Sequence, residues 1–147
     1  MKKNIQIKLE AQLEKDIIES KQLFKVIFEN SPGAITVTDS QERIVAWNPL
    51  AEKMLGMTKK DLFNNPVHML YTPQEWKRIR SLNIRRRGML SNIDTQVICK
   101  DGSLLDVSAS VSVLKDMEGK VIGSIGILND ITRQKLAEHQ MRESENK

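Results

Sequence analysis

The residues that could take part in catalysis or bind a metal are few, and they lie far apart in the sequence. The chain has two histidines, His68 and His139, and one cysteine, Cys99. A nucleophilic pair of Cys99 with His68 is conceivable, but Cys99 lies in a strand-like segment, where a cysteine is usually a small apolar core residue. One cysteine excludes an internal disulfide scaffold and, with two histidines, the usual zinc cluster. We therefore expect no enzyme active site and no metal centre in this chain.

The positive charge of the chain is concentrated in one segment. Lys and Arg number 23 against 19 Asp and Glu, which gives a net charge of +4. Residues 77–87 contain no acidic side chain, and their basic ones are Lys77, Arg78, Arg80, Arg85, Arg86 and Arg87. Such a run is commonly a solvated helix face beside acidic neighbours, and less often a patch for nucleic acid or an anionic ligand. Because no second basic stretch and no set of stacking aromatic residues accompanies it, we favour the solvated face.

Residues 5–30 have the pattern of one long amphipathic helix. Four apolar residues follow the alternating spacing of four and three that is typical of coiled coils, with Ser20 at the one polar position. They are Leu13, Ile17, Phe24 and Ile27. An apolar stripe on a helix is buried only against another surface, which could be the rest of this chain or a second copy. We expect a homodimer formed through this helix.

Five strand-like segments and several short helices follow. The strand-like segments are residues 34–38, 43–47, 92–100, 104–114 and 121–129. Helix-start signals at Asn48-Pro49, Thr58 and Thr72-Pro73 predict short helices between the second and third strands, the last of them running to residue 87. Hairpin-type loops make neighbouring strands antiparallel, so the predicted fold class is α+β, with the helices on one face of a five-stranded sheet.

Five motifs, in this order and spacing, resemble those of the PAS domain family. They are residues 24–32, 35–39, 47–52, 100–103 and 130–132, and the resemblance covers about residues 22–134. The resemblance implies an antiparallel sheet in the order 2-1-5-4-3, a pocket between the sheet and the short helices, and flanking helices coupled to an output module. The sequence departs from the family at Glu42, where a hairpin glycine is common.

The resemblance also suggests how the chain is divided. We expect an N-terminal amphipathic coiled-coil helix at residues 1–22, a PAS domain at residues 23–132, and a linker helix at residues 133–147 toward an absent output module or a next PAS module. The longest apolar run, residues 121–128, is too short to cross a bilayer, and residues 1–8 do not resemble a signal peptide. The sequence thus predicts a cytoplasmic domain without a membrane segment, taken from a larger sensor protein.

The sequence does not identify a cofactor. Flavin-binding light sensors of the family carry a reactive cysteine in an Asn-Cys-Arg motif on a helix, and haem-binding members carry a histidine on the long helix. Neither feature is present here. Two alternatives remain open, which are His68 as a haem ligand and a non-covalent flavin beside Trp47, Asn48 and Trp76.

The same segments supply candidates for a ligand pocket and for signal relay. The pocket candidates are Ile35, Val37, Ile44, Asn48, Met54, Leu55, Leu62, Met69, Leu70, Trp76, Ile79, Leu82, Val97, Cys99, Val111 and Ile125. These residues could equally form an ordinary filled core. Asp130 and Thr132 are the relay candidates, with Asp130 expected to cap the last helix by accepting from N–H groups around Arg133. An anionic ligand could be reached by Arg78, Arg80 or Arg85.

The sequence therefore predicts a sensory signal-input domain, itself not an enzyme, whose parent is a two-component sensor histidine kinase. Such a domain would bind a small ligand or cofactor, or dimerise, and relay a conformational signal through its flanking helices. Two alternatives are a ligand-free interaction and dimerisation module, and the regulatory domain of a transcriptional regulator that contacts nucleic acid through the basic segment.

Overall fold

The computed structural model describes residues 1–146, which form two compact units, Met1–Ser31 and a second unit that begins at Pro32. The first unit is the helix α1 (Lys2–Glu29), which ends at Asn30, whose side-chain amide donates to the Val26 carbonyl over 2.7 Å. The predicted long helix is confirmed, and it begins three residues earlier than expected. None of its residues is buried, so the predicted dimer stripe of Leu13, Ile17, Phe24 and Ile27 is exposed.

The second unit is built on one antiparallel sheet. Its strands are β1 (Ala34–Asp39), β2 (Ile44–Trp47), β3 (Met89–Ile98), β4 (Leu104–Lys115) and β5 (Val121–Asp130). They are arranged in the order β2-β1-β5-β4-β3, and every neighbouring pair is antiparallel. Both the α+β class and the 2-1-5-4-3 order predicted from the sequence are confirmed.

Short helices connect β2 to β3, and a longer helix follows β5. They are α2 (Pro49–Leu55), α3 (Lys59–Leu62), a 3-10 helix (Val67–Leu70), α4 (Pro73–Ser81), α5 (Ile84–Arg87) and α6 (Thr132–Glu145). The single helix predicted over residues 73–87 is wrong. The chain leaves the helix at Leu82, and Asn83 has a φ of 54°, a left-handed conformation that asparagine tolerates better than most residues. None of the helices within residues 1–146 is both long and apolar enough to cross a bilayer.

Asn48 fixes the start of α2 against β1. Its side-chain oxygen accepts from the N–H of Ala51 over 3.1 Å and from that of Ile35 over 2.9 Å, while its amide donates to the Gly33 carbonyl over 2.9 Å. The side chain is fully buried, and all of these bonds are made inside the protein. The predicted N-cap is confirmed, and the same side chain also holds two segments of the fold together.

The two faces of the sheet follow from its register. Thr38 of β1 lies beside Ser124 of β5, and Ser124 lies beside Val113 of β4, so these side chains share one face, which points toward the helices. Val37 and its partner Ile125 are offset by one residue and lie on the opposite face. The buried core between the helices and the sheet consists of Ala34, Ile44, Ala51, Leu55, Leu62, Leu70, Val97, Val107, Ala109 and Leu128.

Candidate ligand-binding site

A cavity of about 110 Å³ lies between the helix-facing side of the sheet and the segment that contains the 3-10 helix, α4 and α5. Its interior is lined by apolar side chains from both layers, with Ile79 of α4 opposite Val111 and Val113 of β4. The full lining is Thr36, Thr38, Asp39, Ser40, Glu42, Val67, Leu70, Tyr71, Trp76, Ile79, Ile84, Arg85, Val111, Val113, Val121, Gly123, Ser124, Gly126 and Leu128. A concave, mainly apolar space with a few polar groups is typical of small-molecule sites.

Two aromatic residues form one wall of the cavity. The rings of Tyr71 and Trp76 have centroids 5.7 Å apart and are tilted by 30°, a geometry that favours aromatic contact. Burial raises the pKa of Tyr71 to about 12, because the phenolate would be poorly solvated there. The phenol therefore stays neutral at physiological pH and can offer a ligand a hydrogen-bond donor.

The sheet side of the cavity carries hydroxyl groups and glycines. The hydroxyl oxygens of Thr38 and Ser124 are 2.6 Å apart and hydrogen-bond each other. A Cβ atom at Gly126 would come within 3.3 Å of the Thr36 hydroxyl oxygen. The absence of a side chain at this position therefore leaves part of the space open above the sheet.

The end of the cavity that reaches solvent is charged. Asp39, Glu42 and Arg85 line it there, and Arg85 is exposed. The Glu42 carboxylate hydrogen-bonds the guanidinium of Arg80 and lies 3.8 Å from that of Arg85. Arg80 in turn lies over the Trp76 ring, 5.1 Å from its centroid. The basic segment is therefore partly paired with an acidic neighbour from another part of the chain, as the solvated-face interpretation expects.

Four of the sequence-predicted pocket residues line this cavity, namely Leu70, Trp76, Ile79 and Val111. The other twelve predicted pocket residues do not line it. Three of these predictions, for residues of β1 and β5, are wrong for a shared reason. Ile35, Val37 and Ile125 lie on the opposite face of the sheet, because the alternation along β1 and β5 points Thr36, Thr38 and Ser124 inward instead. Period-two alternation along β1 groups Thr36 with Thr38 and Ile35 with Val37, but it does not say which pair faces inward.

The remaining predicted pocket residues serve packing, capping or the loops. Ile44, Leu55, Leu62 and Val97 are fully buried core residues, and Met54 and Met69 pack against that core. Asn48 is the cap of α2, and Leu82 is the residue at which α4 ends. Cys99 was expected to be an inward strand residue, but it follows β3, and its thiol lies 3.6 Å from the Met54 carbonyl oxygen.

The cavity does not fit the two cofactors left open by the sequence. His68 is exposed and lies in a surface depression with Tyr71, Pro73, Trp76, Lys77 and Arg80, so it does not line the cavity. Trp47 donates from its indole to Glu52 over 2.8 Å, and Asn48 is occupied as a cap, so neither reaches the space. A volume of about 110 Å³ suits a molecule near the size of benzene, which occupies an engineered cavity of ~150 Å³, and neither haem nor flavin is that small. Within residues 1–146 no cluster of three metal-ligating side chains is present.

The exit helix α6 begins differently from the prediction. Asp130 accepts from the backbone N–H of Thr132 over 2.9 Å and also from its hydroxyl, whereas Ile131 is the N-cap residue. The expected cap on N–H groups around Arg133 is therefore wrong, because Asp130 lies one residue before the cap and reaches only Thr132. Ile131 is buried, and its N–H bonds the Asp106 carbonyl over 3.0 Å. These contacts fix the first turn of α6 against β4.

A chain of polar contacts connects α4 with β3 and α6. Arg78 donates to Glu75 over 2.8 Å and to the Asp94 carbonyl over 2.7 Å, and Glu75 also accepts from the Thr95 hydroxyl. The hydrogen bond from Arg78 is the main reason that the pKa of Glu75 is lowered. The Asp94 carboxylate also lies 2.9 Å from the Lys135 ammonium and raises its pKa. The Glu75–Arg78 pair is local, three residues apart on α4, whereas the contacts with β3 and α6 join residues far apart in the chain and have no signal in the sequence.

The chain is similar to segments of known signalling proteins. It is 28% identical over 127 residues to the sensor histidine kinase TmoS of Ectopseudomonas mendocina, and 29% identical over 125 residues to the sensor protein kinase WalK of Staphylococcus aureus. These alignments cover 84% and 85% of this chain but only 13% and 28% of the relatives, so the chain corresponds to less than a third of their length.

A solved structure and a family model agree with these similarities. The crystal structure of a PAS domain from Colwellia psychrerythraea superimposes with a TM-score of 0.70 at 26% identity, covering 80% of this chain and 98% of that one. The family model of the PAS fold matches residues 22–131, which include the whole sheet and all helices that line the cavity. The chain is therefore a member of the PAS family, and it carries a PAS sensory domain of the kind found in sensor histidine kinases.

Proposed function

We propose that this chain is the signal-input part of a larger regulatory protein, a two-component sensor histidine kinase, and that it senses a small molecule bound in the cavity. The observation that carries the proposal is the position of α4. Trp76 and Ile79 of α4 line the cavity, while Glu75 and Arg78 of the same helix bind β3. A ligand that displaces α4 would therefore act on β3 as well.

The signal would leave the domain through α6. Asp94 of β3 is paired with Lys135 of α6, and Asp130 and Thr132 hold the first turn of that helix. A ligand that binds one arrangement of α4 and β3 more tightly than another shifts the population of α6 conformations by that difference in affinity. In this role Asp130 and Thr132 are positioning residues for the exit helix.

The proposal includes homodimerisation through α1. The exposed stripe of Leu13, Ile17, Phe24 and Ile27 has the spacing of a coiled-coil seam, and an isolated helix of this kind gains most of its stability from packing. The proposal also holds that the chain has no catalytic activity of its own and acts through a covalently linked output module in the cytoplasm. Nucleic acid is not among the proposed partners, because three of the six basic side chains in residues 77–87, Arg78, Arg80 and Arg85, are paired with carboxylates.

The experiment that tests ligand sensing compares two variants on adjacent residues of β4. Val111→Phe places a ring in the cavity, whereas Ser112→Phe places the same ring on the opposite face of the sheet. Native mass spectrometry of freshly purified protein, or of protein titrated with a library of small molecules, should show a bound molecule on wild type and on Ser112→Phe. The Val111→Phe variant should have lost it.

Two results would contradict the proposal. If no molecule binds wild type, or if Val111→Phe binds as well as Ser112→Phe, the cavity is not a ligand site. Hydrogen exchange of α6 tests the relay separately, because a bound ligand should change the exchange rates of residues 132–140 in wild type. An unchanged α6 in the presence of a saturating ligand would contradict relay through this helix.

A further inference from the structure

The charged groups at the solvent end of the cavity are of both signs. Asp39, Glu42 and Arg85 are the charged side chains of the described lining. The Asp39 carboxylate is turned into its own hairpin, where it accepts from the N–H groups of Gln41 over 2.8 Å and of Arg43 over 3.0 Å. Glu42 is therefore the carboxylate that is directed toward the cations at the entrance.

Glu42 is shared between two arginines from different helices. It hydrogen-bonds Arg80 of α4 and lies 3.8 Å from the guanidinium of Arg85 of α5. Arg80 lies outside the lining, on the Trp76 ring, and Arg85 lines the cavity itself. Without the Glu42 carboxylate, both guanidinium groups would face the entrance without this counter-charge.

The backbone at Glu42 is in a conformation that glycine adopts more easily. Its φ is 64°. Its N–H donates to the Asp39 carbonyl over 3.1 Å within the hairpin, and its carbonyl accepts from the N–H of Val67, in the 3-10 helix, over 2.9 Å. A glutamate here accepts a conformational cost that glycine would avoid. The turn itself does not need the carboxylate, which indicates that the side chain serves the contacts with Arg80 and Arg85.

We propose that Glu42 is a specificity-determining residue, which makes the cavity selective for uncharged, mainly apolar molecules over anions of the same shape. This inference rests on the proposed function of the cavity as a ligand site. A carboxylate ligand would lose its hydration in an apolar space. It would find Arg80 already hydrogen-bonded to Glu42, and the charge of Arg85 partly offset by the same carboxylate 3.8 Å away. An uncharged ligand avoids this cost and gains from burial of apolar surface.

Benzamide and benzoate provide the test, because they have nearly the same shape and differ in charge. Their affinities are measured by isothermal titration calorimetry for wild type and for Glu42→Gln. Wild type should bind benzamide at least about tenfold more tightly than benzoate, since the anion is poorly solvated in the cavity. Glu42→Gln should improve benzoate binding by about fivefold, the effect of one unbalanced charge near a protein surface. Benzamide binding should not change.

Two further variants test whether the change in the affinity ratio comes from the Glu42 carboxylate itself. Glu42→Gly removes the carboxylate while placing glycine where φ is positive, so it should fold and should shift the ratio of affinities as Glu42→Gln does. Asp61→Asn is the matched control, because it removes a half-buried carboxylate from a cation, Lys100, that does not line the cavity. It should leave the ratio at the wild-type value.

The outcomes separate this inference from the function on which it rests. If both probes bind and neither Glu42 variant changes the ratio of their affinities, this inference is overturned while the proposed function stands. Equal affinities of wild type for benzamide and benzoate have the same consequence. Failure of both probes to bind any variant overturns the inference as well. The mass spectra of wild type and Val111→Phe then decide separately whether the cavity is a ligand site.

Discussion

The two faces of β1 and β5 reverse the usual distribution of polar and apolar residues. The helix-facing side carries Thr36, Thr38 and Ser124 next to Gly126, whereas the opposite side carries Ile35, Val37, Ile125 and Ile127. On most one-sided sheets the apolar residues face the core and the polar ones face water. Here the inward hydroxyls and glycines leave a space that larger apolar side chains would have filled.

The distribution of residues on β1 and β5 indicates that their helix-facing side is specialised for a ligand site. The interior of a protein domain is normally packed to high density, which stabilises the fold. Small and polar residues that point inward contribute little to such packing. The fully packed part of the core lies elsewhere, around Leu55, Leu62 and Val97. The second unit thus separates a region that stabilises the fold from a region that keeps a cavity open.

The largest expected effect concerns the two glycines of β5. A Cβ atom at Gly123 would lie 2.0 Å from the Thr38 carbonyl oxygen, whereas one at Gly126 would lie 3.3 Å from the Thr36 hydroxyl. Gly123→Ala must push β1 away from β5 and should lower the free energy of unfolding by about 3 kcal/mol. Gly126→Ala should cost about 1 kcal/mol, because only a side chain must move. Urea denaturation of both variants measures the difference, and equal losses would contradict the role assigned to Gly123.

The elements of the fold could be predicted from the sequence because their signals are local. The Asn48 and Thr72 caps, the glycines of the hairpins and the alternation along β4 each act within a few residues. These local signals predict all five strands, whereas the 2-1-5-4-3 order is what the resemblance to PAS domains implies. The break at Asn83 was not expected, because one asparagine in a run of helix-forming residues gives no clear stop signal.

The candidate site was harder to predict, and the reason lies in the reversed faces. A rule that apolar residues point inward selects Ile35, Val37 and Ile125, which is the wrong side of β1 and β5. The contacts of Glu42 with Arg80 and of Asp94 with Lys135 join residues far apart in the chain, and no local pattern encodes such pairs. The site therefore depends on tertiary structure more than the elements do.

The second prediction compares truncations on the two faces. Leu128 lines the cavity and is buried, so Leu128→Ala should lower the free energy of unfolding by about 3 kcal/mol through lost burial and an enlarged void. Ile125 is half-buried on the opposite face, and Ile125→Ala should cost about 1 kcal/mol. Thermal and urea unfolding of the two variants provide the measurement. A larger loss for Ile125→Ala would mean that the opposite face contributes more to stability than the cavity wall.

The third prediction uses the one tyrosine of the chain. Burial raises the pKa of Tyr71 from its usual 10 to about 12, so the folded state retains this proton more tightly than the unfolded state does. The resulting stability is fully present below pH 10 and is lost as the pH rises through 12, by up to ~3 kcal/mol. Subtracting the pH dependence of Tyr71→Phe isolates this contribution from the titration of lysines. A spectrophotometric titration of Tyr71 near pH 10 in the folded protein would contradict it.

The smallest expected effect tests whether the inward hydroxyls depend on each other. Thr38→Val leaves the Ser124 hydroxyl without its partner at 2.6 Å, and should lower the free energy of unfolding by about 1 kcal/mol. Replacing both residues, as Thr38→Val with Ser124→Ala, should cost less than the sum of the two single changes, because no unpaired hydroxyl remains. A double-mutant cycle in urea measures this coupling. If the losses of the two single variants add up to that of the double variant, each hydroxyl finds another partner in the cavity. Water, and not the Thr38–Ser124 pair, would then organise the polar side of the cavity.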